Sequence, residues 1–139
     1  MNENQLKNRT KDFAKNIIQL CRKLPNNMEG KLIGNQIFRS GTSIAANYRA
    51  ACRARSTADF VSKLAIVEEE ADETLFWLEL INEMKILDDK AMLESLMQEN
   101  NELISIIVAS IKTLRSKKTT SGNSKIQNPQ SYRAENRGK

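Results

Sequence analysis

Apolar residues recur at spacings of three and four along most of the chain, the period of helices with one buried face. The predicted helices cover residues 4–24, 28–54, 56–87 and 90–117. Pro25 ends the first helix because it has no amide donor, and Ser56 and Asp88-Asp89 can cap the third and fourth helices. Connections of a few residues make consecutive helices antiparallel neighbours, so we expect an all-α, up-down-up-down four-helix bundle.

The composition changes after the fourth helix. Thr119 to Ser124 and the stretch through Asn128-Pro129 are polar and rich in helix breakers. We therefore expect two parts, a bundle over residues 1–117 and a disordered basic tail over residues 118–139. The chain has no apolar run long enough for a membrane span, and its first residues lack a signal-peptide pattern, so we expect a cytoplasmic protein without membrane contact.

Glycines and small residues make the second helix thin. Gly34 and Gly41 lie inside it, and Ser40 to Ser43 and Ala45-Ala46 add short side chains. Each glycine costs about 1 kcal/mol relative to alanine in a helix interior. A conspicuous glycine in the middle of a helix usually has a packing reason, so we expect neighbouring helices to approach closely here.

The third helix carries apolar residues on two sides. Its main seam is Phe60, Leu64, Val67, Ala71, Leu75 and Leu78. Beside that seam lies a second set that includes Ile66, Trp77 and Leu80. Two neighbours within one chain could bury both sides, or the second side could belong to another subunit. We take Ile66, Trp77 and Leu80 as the candidate oligomer interface. Asn100 falls on the seam of the fourth helix, where it either sets register or oligomer state or faces solvent.

Charge is distributed unevenly along the chain. Residues 1–63 carry 12 Lys/Arg and 4 Asp/Glu, a net charge of +8, whereas residues 64–116 carry 4 and 12, a net charge of −8. Residues 117–139 add +5, from 6 basic residues and 1 acidic residue. This asymmetry bears on partners and association, not on the fold.

The absence of histidine restricts the possible chemistry. It removes the commonest general base, the Ser-His and Cys-His pairs, and the histidine ligands of di-iron bundles. A magnesium or manganese site on the carboxylates of the third helix is the remaining enzymatic alternative, around Glu68 and Asp72. Charge runs are usually solvated or paired, so we predict a non-enzyme with no catalytic residue, bound metal or cofactor.

Basic side chains on the first two helices are the candidate phosphate contacts. The nucleic-acid-binding candidates are Lys7, Lys11, Lys15, Arg39, Arg49 and Arg53. Lysine and arginine contacts to phosphates give affinity that is independent of sequence and sensitive to salt. The alternative is an ordinary solvated surface.

Two segments carry a resemblance to a known family. Residues 36–49, QIFRSGTSIAANYR, and residues 58–64 with 68–80, ADFVSKL and EEEADETLFWLEL, resemble the two signatures of the four helix bundle protein family. These proteins are encoded in intervening sequences of bacterial 23S rRNA genes. The resemblance covers roughly residues 5–116. Many members have Ala-Glu-Gly soon after the position of Asn47, where this chain has Tyr48 to Cys52.

The resemblance implies a function as well as a fold. It implies an up-down four-helix protomer, often a ring-like homopentamer, with no assigned enzyme activity. The similar accessory variability proteins of diversity-generating retroelements bind nucleic acid and a reverse transcriptase through basic surfaces. We therefore predict a homo-oligomeric, nucleic-acid-binding accessory protein. The alternative is a protein-interaction scaffold that engages a partner enzyme such as a reverse transcriptase.

Overall fold

The computed structural model describes residues 1–120 of the chain. Its four helices are α1 (Glu3–Lys23), α2 (Met28–Ala51), α3 (Thr57–Glu83) and α4 (Lys90–Thr120). The predicted all-α four-helix bundle is confirmed. Helix α4 continues three residues beyond its predicted end, and the rest of the predicted basic tail lies outside the described residues.

Side-chain caps set the beginnings of the helices. The hydroxyl of Ser56 accepts a hydrogen bond from the amide of Asp59 at 3.0 Å, and a carboxylate oxygen of Asp89 accepts one from the amide of Met92 at 3.1 Å. Such caps satisfy amides that have no carbonyl partner in the first turn of a helix. Both caps stand where the sequence places them.

Two helices end earlier than their apolar pattern predicts. Helix α2 ends at Ala51, because the following residues form a tight turn rather than another helical turn. Helix α3 ends at Glu83, two residues before Lys85, which has a positive φ of 53°. The amide of Ile86 then donates to the carbonyl of Ile81 at 3.0 Å, which completes a Schellman-type end.

The apolar stripes of all four helices meet in one core. The large side chains that are almost fully buried are Phe13, Ile17, Leu20, Ile37, Ile44, Leu64, Leu78, Ile81, Leu93, Leu103, Ile107 and Leu114. The seam of α3 differs from the prediction at one position. Leu75 is only half-buried, and its neighbour Thr74 takes the core position with no exposed surface.

Small residues bring α2 close to both of its neighbours, as predicted. A Cβ atom added to Gly41 would lie 2.8 Å from two carbons of the Ile17 side chain, so α1 packs directly on the backbone of α2. On the other side of α2, the buried hydroxyls of Ser40 and Thr74 lie 2.8 Å apart and form a hydrogen bond to α3. Larger side chains at these α2 positions would force the helices apart.

Asn100 fixes α4 against α3 within the chain. Its side chain has no exposed surface, and its amide nitrogen donates to the carbonyl of Ala71 at 3.0 Å. No donor among the described residues reaches its side-chain oxygen. The solvent-facing alternative is therefore wrong, and a hydrogen bond of this kind favours one register of the two helices.

The contacts between α1 and its neighbours establish the antiparallel order. Each helix packs against the next one in the chain, and α4 returns to pack against α1. The C-terminal Lys23 of α1 meets Asp89 at the start of α4, whereas Arg9 meets Glu99 a few turns along α4. The two helices therefore run in opposite directions, as do α1 and α2.

None of the four described helices combines the length and the apolar character that crossing a membrane requires.

We expect the two glycines of α2 to respond oppositely to alanine substitution. Gly41→Ala should lower the free energy of unfolding by about 1 kcal/mol, because the strain against Ile17 exceeds the gain in helix propensity. Gly34→Ala should leave it unchanged or raise it by up to about 1 kcal/mol, because only the flexible end of Leu24 lies near, at 3.3 Å. Urea denaturation measures both, and a Gly41→Ala protein more stable than the Gly34→Ala protein would contradict the close packing.

Candidate nucleic-acid interface

Arg39 is held by acids of its own chain. It projects from α2 toward α3, where its guanidinium donates to Glu70 at 2.9 Å and also to Glu73. Glu73 accepts a further hydrogen bond from the indole nitrogen of Trp77 at 3.1 Å. The Arg39 guanidinium, and then Trp77, hold the pKa of the Glu73 carboxyl below its ordinary value of 4.5. A phosphate approaching Arg39 would meet two carboxylates, so this candidate is poorly placed for phosphate binding.

Arg49 and Arg53 differ from Arg39 in their surroundings. Both side chains are exposed, Arg49 in the last turn of α2 and Arg53 in the turn that follows it. Within residues 1–117, no carboxylate lies within ion-pair distance of either guanidinium. Their charges therefore face solvent without local neutralisation, which is the condition that phosphate binding requires.

The side of α2 that carries Arg49 faces α1. Cys21 of α1 and Phe38 of α2 line a shallow groove between the two helices. Arg49 follows Phe38 by eleven residues, about three helical turns, and so lies on the same side of α2. Arg39 is turned about 100° from Phe38 and meets α3 instead. The structure thus separates Arg39 from Arg49.

Two of the three candidate lysines of α1, Lys11 and Lys15, are exposed, and Lys7 is half-buried. The positive charge of Lys7 is close enough to Cys52 to lower the pKa of its thiol slightly against the larger effect of burial. The start of α1 therefore lies beside the end of α2. Lys7 forms a long ion pair of 3.9 Å with Glu3, and Lys15 one of 4.0 Å with Asp12, both within α1. The Lys15 pair is exposed and contributes little, so a competing anion can break it, whereas the Glu3 side chain in the Lys7 pair is only 12% exposed.

One exposed surface therefore collects five of the six candidates. Lys11 completes it, because it is exposed and has no acid within ion-pair distance among the described residues. We call this surface, on the outer side of α1 and α2, the basic face. Its members are Lys7, Lys11, Lys15, Arg49 and Arg53.

Arg9 and Arg55, which were not among the candidates, have opposite surroundings. Arg9 forms a two-pronged contact with Glu99 at 2.6 and 2.7 Å and a third bond to Glu102 at 2.8 Å, which joins α1 to α4. The Glu99 contact raises the pKa of Arg9 above its ordinary range. Arg55, in the turn between α2 and α3, is exposed and has no acid within ion-pair distance among residues 1–117. Sequence spacing carried no signal that distinguishes these two.

The second apolar side of α3 is partly open to solvent. Ile66 is 39% exposed, and Trp77 and Leu80 are half-buried. Phe76 is 52% exposed and packs edge-on against Trp77, with ring centroids 4.9 Å apart. The four helices of one chain therefore do not cover this side completely. We call Ile66, Phe76, Trp77 and Leu80 the α3 apolar face.

The two cysteines are free thiols, Cys52 buried and Cys21 half-buried beside the groove between α1 and α2. Burial raises the pKa of Cys21 to about 11, and burial, with the nearby charge of Glu3, raises that of Cys52 to about 11. Thiols with such a pKa are protonated at neutral pH and are weak nucleophiles. Neither position has the environment of a catalytic cysteine.

The acids of α3 do not form a metal centre in the described part of the chain. Glu68, Glu69 and Asp72 line a shallow groove between α3 and α4, together with Ala65 and Ile104. Within residues 1–117, no three His, Cys, Asp or Glu side chains converge closely enough to hold an ion. The carboxylate-site alternative gains no support from this geometry.

Comparison with known proteins decides the family. Residues 2–109 match the family described as 23S rRNA-intervening sequence protein. The chain belongs to this family. The resemblance drawn from the sequence signatures is confirmed, and the matched range includes nearly all of the four helices.

A solved structure of similar fold supports the same assignment. It is a crystal structure from Bacteroides thetaiotaomicron VPI-5482, described as a protein with unknown function from the S23 ribosomal protein family. It is 38% identical to this chain, with a TM-score of 0.73, and the alignment covers 81% of this chain and 99% of that one. Among curated proteins, none matches the chain.

The cluster of Arg39, Glu73 and Trp77 predicts a specific acid transition. Because its folded-state pKa is depressed, Glu73 stabilises the bundle above its unfolded-state pKa, and this contribution is lost as the pH falls through the folded value. Trp77 fluorescence should therefore change with a midpoint below 4.5, and Arg39→Gln should move the midpoint upward. Glu73→Gln should abolish the transition. A wild-type fluorescence midpoint at or above pH 4.5 would show that Arg39 and Trp77 do not stabilise the ionised form of Glu73.

Proposed function

We propose that this member of the family is a non-enzymatic, homo-oligomeric accessory protein that binds nucleic acid through its basic face. The observation that supports the proposal is the exposure of Lys11, Arg49 and Arg53, with no acid within ion-pair distance among the described residues. Arg39 does not belong to this proposed surface, because Glu70 and Glu73 neutralise it.

The electrostatics of the basic face favour a polyanion. A nucleic-acid backbone carries closely spaced phosphates with condensed counterions, and cations that replace those counterions gain affinity from their release. Arginines offer several donors in a fixed fork that matches phosphate oxygens, and the lysines of α1 add mobile point charges. The affinity expected from such contacts does not depend on base sequence.

The non-enzymatic part of the proposal follows from the available side chains. The 139 residues contain no histidine. The Cys52 thiol is buried and the Cys21 thiol is half-buried, and the pKa of each is raised to about 11.

The homo-oligomeric part of the proposal rests on unlike surfaces of one chain. The α3 apolar face has Glu69, Glu73 and Glu83 beside it on α3, whereas the basic face lies on α1 and α2. Two different patches that join head to tail close into a ring when the rotation between subunits allows it. A homopentamer is the ring that the family resemblance implies.

Substitution of paired and unpaired arginines tests the binding surface. At about 100 mM salt, Arg49→Gln with Arg53→Gln should weaken binding to a duplex RNA by at least about tenfold, because two phosphate contacts are lost. The matched control is Arg39→Gln, which removes a neutralised charge and should change the affinity less than about twofold. Fluorescence anisotropy with a labelled RNA measures both.

Equal losses in the two arginine variants would show that ion pairing within the chain does not select the binding residues. An absence of any binding to RNA or DNA at low salt would remove the proposed function itself. A partner captured from cell extract that survives nuclease treatment, together with that absence, would favour the protein-interaction scaffold.

The α3 apolar face predicts an oligomer that a polar substitution disrupts. Light scattering at tens of micromolar should give a mass above that of one chain, and Ile66→Ser with Phe76→Ser should reduce it, because apolar contact area is lost. Met28→Ser is the control, since Met28 is 75% exposed but lies at the start of α2. A monomer in the wild type would contradict the proposal.

A further inference from the structure

The antiparallel topology gathers one set of helix ends at the same end of the bundle. The start of α1 lies beside the end of α2, since the charge of Lys7 is close enough to the Cys52 thiol to affect its pKa. The turn from α2 leads directly into α3, and Asn100 pairs α4 with Ala71 in an antiparallel register. The last turns of α4 therefore lie at the level of the first turns of α3.

Charge segregates strongly between this end and the remainder of the bundle. Residues 1–11, 47–63 and 108–117 hold ten basic and two acidic side chains, a net charge of +8, and one of the ten, Arg9, is paired with Glu99 and Glu102 outside these ranges. Residues 12–46 and 64–107 hold seven basic and fourteen acidic side chains, a net charge of −7. The segments that form the positive end are far apart in sequence, and only the fold brings their charges together.

The two acids at this end already have basic partners. Asp59 pairs with Lys63 at 3.5 Å, and Glu3 pairs with Lys7 at 3.9 Å. Arg53, Arg55 and Lys112 are exposed, and no acid of the described residues lies within ion-pair distance of them. Arg115 adds a fourth exposed cation one turn beyond Lys112. We call Arg53, Arg55, Lys112 and Arg115 the basic end.

We infer that the basic end is a second phosphate-binding surface, which carries a nucleic-acid backbone from the basic face over the end of the bundle to α4. The inference rests on the proposed function and adds residues that the basic face does not include. Arg53 belongs to both surfaces and makes them continuous.

The dimensions of the end suit a nucleic-acid backbone. Packed helices lie 8–10 Å apart, so the end of a four-helix bundle is about 20 Å across with its side chains. That width spans about six base-pair steps at 3.4 Å each, enough for several phosphates on each strand. An isolated anion or a small phosphorylated ligand would occupy only one part of this surface.

Salt-dependent binding of paired variants tests the inference on the full chain. Arg55→Gln with Lys112→Gln should make the negative slope of log affinity against log salt shallower by about 2, and weaken duplex RNA binding at about 100 mM salt by at least about tenfold. The control removes two exposed cations from the opposite end, Lys31→Gln with Lys85→Gln, and should leave the slope within about 0.5 of the wild type. Circular dichroism confirms that each variant is folded.

The outcomes separate this inference from the proposed function. If the wild type binds and Lys11→Gln with Lys15→Gln weakens binding, but the Arg55 and Lys112 pair binds like the wild type, the inference is wrong and the proposed function stands. If the wild type binds no nucleic acid at low salt, both are wrong. Equal loss in the Lys31 and Lys85 control would also overturn the inference, because net charge alone would then explain the effect.

Discussion

The close approach of α2 to both of its neighbours is the constraint on which the rest of the molecule depends. Gly41 brings α1 onto the backbone of α2, and Ser40 bonds to Thr74 of α3. These contacts fix the rotation of α2 about its own axis. That rotation directs Arg39 toward the acids of α3 and Arg49 toward the outer side of α1. One helix thus carries a neutralised arginine and an open one.

Antiparallel packing determines how the charge asymmetry along the sequence is distributed over the surface of the folded molecule. The sequence alternates basic and acidic regions, but the helices that carry them run past each other. Ion pairs such as Arg9 with Glu99 cancel charge where α1 meets α4. Exposed cations with no acid within ion-pair distance among the described residues include Arg49 and Arg53 at the end of α2, and Arg55 and Lys112 nearby, whereas Lys31 and Lys85 lie at the opposite end. Unpaired, exposed cations of this kind act on association and partner choice more than on stability.

The fold could be predicted from the sequence because period and caps are local signals. The four helices and the Ser56 and Asp89 caps follow from residues near one another in the chain. The small residues around Gly41 also predicted a close helix approach, although they did not identify Ile17 as the residue that Gly41 meets. The early end of α3 could not be predicted, because it depends on Lys85 adopting a left-handed conformation. The periodic seam of α3 also did not distinguish Leu75 from its buried neighbour.

The candidate surface was only partly predictable, for a different physical reason. Whether an arginine is free depends on carboxylates more than thirty residues away, as Arg39 shows with Glu70 and Glu73. Helical spacing locates a side chain on its own helix but does not identify the neighbour that it meets. The same limit left Arg55 and Lys112 outside the predicted set, since their proximity arises only when the helix ends come together.

We propose that exposed cations on the folded chain bind phosphates by releasing counterions. The most direct measurement is the affinity of the wild-type protein for one duplex RNA across a range of salt concentrations. We expect the log affinity to fall linearly with log salt, with a slope of about −4 or steeper for five or more phosphate contacts. A slope near zero, or no binding at the lowest salt, would contradict it.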